Sequence, residues 1–168
     1  MRYTSPISAI EQSASKETEM ANAEHDNVSI APQLTVRRGR DAVEFYKAAF
    51  GATEVYRVGG TDTQPGVVAQ LAVGGASFWV SDESPEHGNF SPESVDGATA
   101  RMLLVVDDPD SMVARAIGAG ALEIHPVVEE HGWRLGRIQD PFGHHWEIGR
   151  PLVPWPPPGR SPHGDQSA

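Results

Sequence analysis

Apolar and polar positions alternate along most of this chain in short runs, and in two places the period lengthens to that of a helix. In 40–50, Val43, Tyr46 and Phe50 recur at i, i+3 and i+7; Ala42, Phe45 and Ala49 widen the stripe and Gly51 ends it, which predicts an amphipathic helix. The second helical period follows Asp108-Pro109, a capping residue and then a proline at the first helical position. It runs to about Ala119, burying Met112, Val113, Ala116 and Ile117, and Gly118 and Gly120 close it. The remaining runs predict strands. They are 28–36 (with Pro32 at an irregular or edge position), 53–58, 67–73, 76–81, 99–106, 122–127, 136–139 and 145–148. Gly74-Gly75 and Asp140-Pro141-Phe142-Gly143 mark tight reversals between strands.

The order strand, helix, three strands therefore occurs twice, and the two copies superimpose as sequence. Leu34-Thr35-Val36 matches Leu104-Val105-Val106 and Val43 matches Val113, 70 positions apart. Gly51-Ala52 and Glu54 match Gly120-Ala121 and Glu123 at 69, and Gly75 and Phe78 match Gly143 and Trp146 at 68. Repetition of a whole supersecondary unit is stronger evidence than a single motif. It predicts an α+β fold of two βαβββ modules, 28–81 and 99–151, within one domain spanning 28–151. Each unit has a helix for only one face of its sheet, so the open faces are expected to form a concave, pseudo-twofold mixed-sheet cleft, with the helices outside. The polar, proline-punctuated stretch 82–98 is long for an internal loop and is expected to be a linker or mobile lid. Segments 1–27 and 152–168 are expected to be a disordered tail and a proline-rich extended tail, with Met1 and Met20 both open as starts.

Charge and composition narrow the partners. A net charge of −10 on 168 residues opposes nucleic acid or an anionic membrane as the main partner. The absence of cysteine excludes disulfides, thiolate nucleophiles and thiolate metal sites. No apolar run approaches the ~20 residues of a membrane span, and 1–27 lacks the apolar centre of a signal peptide, so a cytoplasmic protein is expected. In 145–148, strand alternation puts His145 and Glu147 on one face and Trp146 and Ile148 on the other, which places a carboxylate and an imidazole on a surface that is not ordinary core.

The paired modules, the segment RDAVEFYKAAFGA (40–52) and the segment DPFGHHW (140–146) resemble the vicinal oxygen chelate superfamily, and most nearly its PhnB-like glyoxalase/bleomycin resistance/dioxygenase branch. The superfamily's metal enzymes take ligands from the first and last strands of each module. The corresponding positions here are Ala31, Trp79, Arg101 and Glu147, of which only Glu147 is a usable ligand. The resemblance thus implies a protein with no native metal, a divalent ion being the alternative. Counting alternately from these positions assigns Ala31, Gln33, Thr35, Ser77, Trp79, Ser81, Arg101, Leu103, Val105, His145 and Glu147 to the cleft. Leu34, Val36, Phe78, Val80, Met102, Leu104, Val106, Trp146 and Ile148 fall to the core. The candidate ligand-binding residues are Gln33, Thr35, Ser77, Trp79, Arg101, His145 and Glu147, with Glu147 as a candidate acid/base. Arg101 and Glu147 are expected to meet across opposite modules. His144 has core parity and reads as structural.

Two functional readings follow. One is a binder of a small organic molecule, acting as a homodimer in the manner of bleomycin resistance proteins. The other is a glyoxalase-like lyase or isomerase, or a dioxygenase-type enzyme, metal-dependent or using Glu147 as acid/base on a substrate carboxylate held by Arg101.

Overall fold

The computed structural model describes residues 29–155; the expected tail 1–27 and the part of the C-terminal tail beyond Trp155 lie outside them. Ser29 and Ile30 belong to no helix or strand, and the body begins at Ala31. Its first module is β1 (Gln33–Val36), α1 (Gly39–Phe50), β2 (Thr53–Gly59), β3 (Val67–Val73) and β4 (Ala76–Asp82), in sheet order β1-β4-β3-β2. After a 3-10 turn (Pro85–His87) and the short α2 (Pro92–Val95) comes the second module. It contains β5 (Arg101–Val105), α3 (Pro109–Gly118), β6 (Leu122–Glu130), β7 (Trp133–Gln139) and β8 (His145–Pro151), in sheet order β5-β8-β7-β6. Among the described residues no helix is long and apolar enough to cross a membrane.

In both sheets the first strand lies parallel to the last, and the remaining pairs are antiparallel. The repeat read from the sequence reappears in the register. Gln33 pairs with Trp79 and Leu103 with Glu147, offsets of 70 and 68. The second strand of each module also carries an irregularity at matching places, between Glu54 and Tyr56 and between Glu123 and His125. β6 and β7 extend well past their expected limits, forming a long hairpin that turns at His131-Gly132. The first described residues of the C-terminal tail pack on it, with the Trp155 ring 5.3 Å from that of Trp133.

Local chemistry sets the helix ends. Asp108 accepts hydrogen bonds from the Ser111 amide (3.0 Å) and hydroxyl (2.6 Å), the capping expected before Pro109. α1 has no side-chain cap of its own at Arg38. Its Gly39 amide instead donates to Asp82 at the end of β4 (2.7 Å), whose second oxygen accepts from the Val67 amide (2.7 Å). A Cβ at Gly39 would lie 2.8 Å from the Val67 Cβ and 2.9 Å from Asp82 Oδ2, so only glycine admits this approach.

The helix-covered faces meet in one core. Leu34, Val36, Phe78, Val80, Trp146 and Ile148 are buried, and Met102, Leu104 and Val106 pack against them, as alternation predicts. Aromatic side chains join the modules: the Trp146 ring lies 4.7 Å from Phe50, 5.5 Å from Phe78 and 5.6 Å from Tyr46. Each such burial is worth roughly 1.5–3 kcal/mol. The helices also lock directly, with Arg115 Nε donating to the Ala49 carbonyl (2.7 Å).

A carboxyl group is buried with this core. Asp140 is 4% exposed and accepts from the Tyr46 hydroxyl (2.6 Å), the Trp146 indole (3.0 Å) and the amides of Phe142 (3.0 Å) and His144 (2.9 Å). Burial, and then the adjacent Asp140 carboxylate, raise the Tyr46 phenol well above its ordinary pKa. His144 Nε2 donates to the Thr35 carbonyl (2.9 Å), tying the same turn to β1. The connection 82–98 carries structure of its own. Glu83 accepts from the Ser91 hydroxyl (2.7 Å), the Ser94 hydroxyl and Arg37 Nε (3.1 Å). Those serine hydroxyls lead in lowering its carboxyl pKa to about 2.

Candidate functional site

The second face of each sheet carries no helix, and the two faces are chemically unlike. On module one, cross-strand rows bring Gln33, Trp79, Gln70 and Tyr56 together, with Thr35, Ser81, Val68 and Val58 beside them. Trp79 is half-buried, and its ring stands edge-on to Tyr56 at 5.9 Å. Gln33 Nε2 donates to the Ser81 hydroxyl (3.2 Å), covering it, and Gln70 Nε2 reaches the Ser77 hydroxyl (3.5 Å). This face holds neutral amides and hydroxyls around an aromatic pair.

On module two the first row corresponds to His125, Arg137, Glu147 and Leu103 and the second to Val128, Leu135, Gly149 and Val105, with Gln139, His145 and Arg101 in the next row on the other side. Arg101 Nη1 lies 2.8 Å from Glu147 Oε1, and the two side chains are 56% and 29% exposed. Both belong to one sheet. β5 lies beside β8, with Arg101 opposite His145 and Leu103 opposite Glu147. The expected meeting across opposite modules is therefore corrected: parallel pairing of the first and last strands makes the contact a diagonal neighbour. His145 Nε2 is 3.5 Å from Gln139 Nε2, while its Nδ1 is buried without a partner.

Arg137 did not figure among the expected site residues. It sits opposite Glu147 on β8 and His125 on β6, and its Nε is buried without a hydrogen-bond partner. The signal was in the sequence. Ile138 is core, so alternation turns Arg137 and Gln139 to the open face. Beside them lies a cavity of about 490 Å³ bordered by Arg137, Glu147, Pro126, Val128 and Leu135. A second depression, of about 410 Å³ and lined by Arg37, Arg38, Gly39 and Asp82, lies at the start of α1, where Asp82 already takes the helix amide.

These residues do not fit a divalent ion at the positions the superfamily uses. Ala31 has no donor, the indole of Trp79 offers only an N–H, and the Arg101 guanidinium puts a positive charge at Glu147 itself. Among the described residues no three His, Cys, Asp or Glu side chains converge on one point.

Two sheets of this topology, each covered on one face by a helix and open on the other, define the vicinal oxygen chelate fold. The profile of the glyoxalase At5g48480-like N-terminal domain matches residues 33–83. An uncharacterised protein of Mycobacterium bovis is 34% identical over 129 residues, covering 74% of this chain and 84% of its own. The At5g48480 protein of Arabidopsis thaliana is 39% identical over 114 residues, covering 63% and 68%. Its crystal structure superimposes with a TM-score of 0.58 at 31% identity, over 74% of this chain and 100% of that one. The fosfomycin resistance protein FosX from Listeria monocytogenes, solved with Mn(II) and sulfate, shares the fold at 13% identity and a TM-score of 0.56, over 75% and 93%. The chain belongs to the glyoxalase At5g48480-like family of the vicinal oxygen chelate superfamily.

Proposed function

We propose that this protein binds a small organic molecule on the open faces of its sheets, without a resident metal, and that two copies associate to enclose it. The observation that carries the reading is that the helix-free face of module one gathers amides and hydroxyls around an aromatic pair and that of module two gathers charged groups, the mixture that small-molecule sites present. Gln33, Thr35, Ser77 and Trp79 supply amide, hydroxyl and stacking contacts from module one. Arg101, His145 and Glu147 supply charge from module two.

A second copy is supported by apolar margins on the same faces. Tyr56, Leu103 and Val105 are each at least half exposed there, and a symmetric dimer is the usual way to cover such a surface. A glyoxalase-like lyase or isomerase remains the second reading. It is favoured by Glu147, a carboxylate within reach of a bound molecule and with one oxygen free of Arg101, a position suited to moving a proton.

The test combines metal analysis of the purified protein with a thermal-shift screen of divalent ions and small molecules. The proposal expects no stoichiometric metal, ligands that raise the midpoint of the wild type, and loss of that rise in Glu147→Gln. Light scattering should report twice the chain mass. A stoichiometric divalent ion with a matching rise in midpoint would overturn the metal-free reading, and a monomer at all concentrations the dimer.

A further inference from the structure

We infer that Arg137 is an anion-recognition residue and that the cavity beside it takes a small monocarboxylic acid with an apolar body. The inference rests on the open-face reading above and adds the chemical class of the ligand. Strand β7 carries two arginines in different states. Arg134, on the helix-covered face, makes a two-pronged contact with Asp110 at 2.6 and 2.5 Å. Arg137, on the open face, makes no ion pair or hydrogen bond among the described residues, and its Nε is shut away from solvent. A guanidinium stays charged at any physiological pH, and leaving it unpaired carries a free-energy cost that a ligand acceptor at its accessible Nη atoms can relieve.

The protein does not relieve it. Glu147 lies opposite Arg137, but its Oε1 is turned to Arg101 at 2.8 Å. Arg101 is thus engaged, which moves the carboxylate-binding role from Arg101 to Arg137. A planar carboxylate matches a guanidinium, and the Nη atoms of Arg137, which unlike its Nε are not shut away, can donate to it. The rest of the cavity sets the other half of the ligand. Pro126, Val128 and Leu135 form an apolar wall, and about 490 Å³ suits a compact organic body. Glu147 and Glu130 also border the space. Glu147 is neutralised by Arg101 and His125 lies on the same border, so Arg137 offers one positive charge to a ligand while Glu130 opposes a second negative one, and a monocarboxylate is selected over a dicarboxylate or a phosphate monoester.

The experiment uses the full chain and four probes: phenylacetate, its neutral amide, phenyl phosphate and succinate. Affinity is read by chemical-shift titration. Phenylacetate should bind at residues around Arg137 and Leu135, and the other three at least about tenfold more weakly. Arg137→Gln should remove the preference for phenylacetate over its amide. Arg150→Gln, an equal change in net charge at an exposed position on β8, should leave it intact. Arg137→Lys, which keeps charge but loses the two-pronged edge, should retain only part of it and serves if the glutamine variant does not fold. Equal binding of acid and amide on the open face, surviving Arg137→Gln, would overturn this inference and leave the open-face reading standing. Preference for phenyl phosphate or succinate would overturn the monoanion assignment. Failure of every probe to perturb either open face would overturn both.

Discussion

The two modules have one skeleton and two chemistries. Their strands pair in the same order, and their second strands break register at matching positions. Yet one open face is neutral, with Trp79 against Tyr56, and the other is charged, with Arg101, Arg137, His145 and Glu147. Their last turns differ as well. β3 and β4 are joined by Gly74-Gly75, whereas β7 and β8 are joined through Asp140, whose carboxylate holds side chains from both modules. The repeated part is what builds a sheet on a helix, and the divergent part lies where a ligand or the other module is met. Such a molecule keeps its fold while its faces are free to specialise.

The largest effect should come from the turn that has no counterpart. Asp140→Ala strips four donors of their acceptor, two of them side chains from different modules. It should lower unfolding free energy by on the order of 4 kcal/mol, measured by denaturant titration. A loss below about 1 kcal/mol, the net worth of one ordinary hydrogen bond, would show that the hub does not tie the modules. In the β3–β4 turn of module one, Gly74→Ala meets no neighbouring atom but places a side chain at φ +58°. It should cost about 1 kcal/mol from backbone conformation alone.

Next comes the Arg101–Glu147 pair. At 56% and 29% exposure, a double-mutant cycle on stability should return a coupling under about 1 kcal/mol, while ligand response is lost in each single variant. A coupling of several kcal/mol would instead make the pair structural and bring the charged face closer to the neutral one in purpose.

The smallest effect concerns the connection between modules. Glu83 has its carboxyl pKa lowered from 4.5 to about 2, led by the Ser94 and Ser91 hydroxyls. A depressed folded-state value means that the unfolded chain binds the proton first as pH falls. The contribution of Glu83 is therefore complete above about pH 4.5 and fades down to about pH 2. Glu83→Gln should flatten the acid limb of the stability profile in that window and leave its shape near neutrality unchanged. An unaltered acid limb would contradict the assignment.

Much of this architecture is legible in the sequence because side-chain period and internal repetition are local properties. Val43 and Val113, or Phe78 and Trp146, declare themselves by spacing alone. What pairs across the chain does not. The Tyr46 and Asp140 side chains meet from 94 positions apart, and a turn motif with an aspartate reads as a turn whether that aspartate faces water or an aromatic core. Arg101 and Glu147 were visible as residues of one face, but their meeting within a single sheet depends on β5 lying beside β8, which hydrophobic pattern leaves open. Arg137 was legible from the core position of Ile138. The superfamily's ligand positions fall on the first and last strands of each module, and β7 is neither.

The open sheet faces, and not the depression at the start of α1, are expected to receive a small molecule. The most direct measurement is amide and side-chain chemical-shift mapping of the isotope-labelled full chain against a library of small organic molecules of both charges. Binding should perturb residues of the open faces, among them Trp79, Gln33, Arg101, Arg137 and Glu147, and the response should be lost in Glu147→Gln. Perturbations centred on Arg38, Gly39 and Asp82, with the open faces silent, would contradict the account.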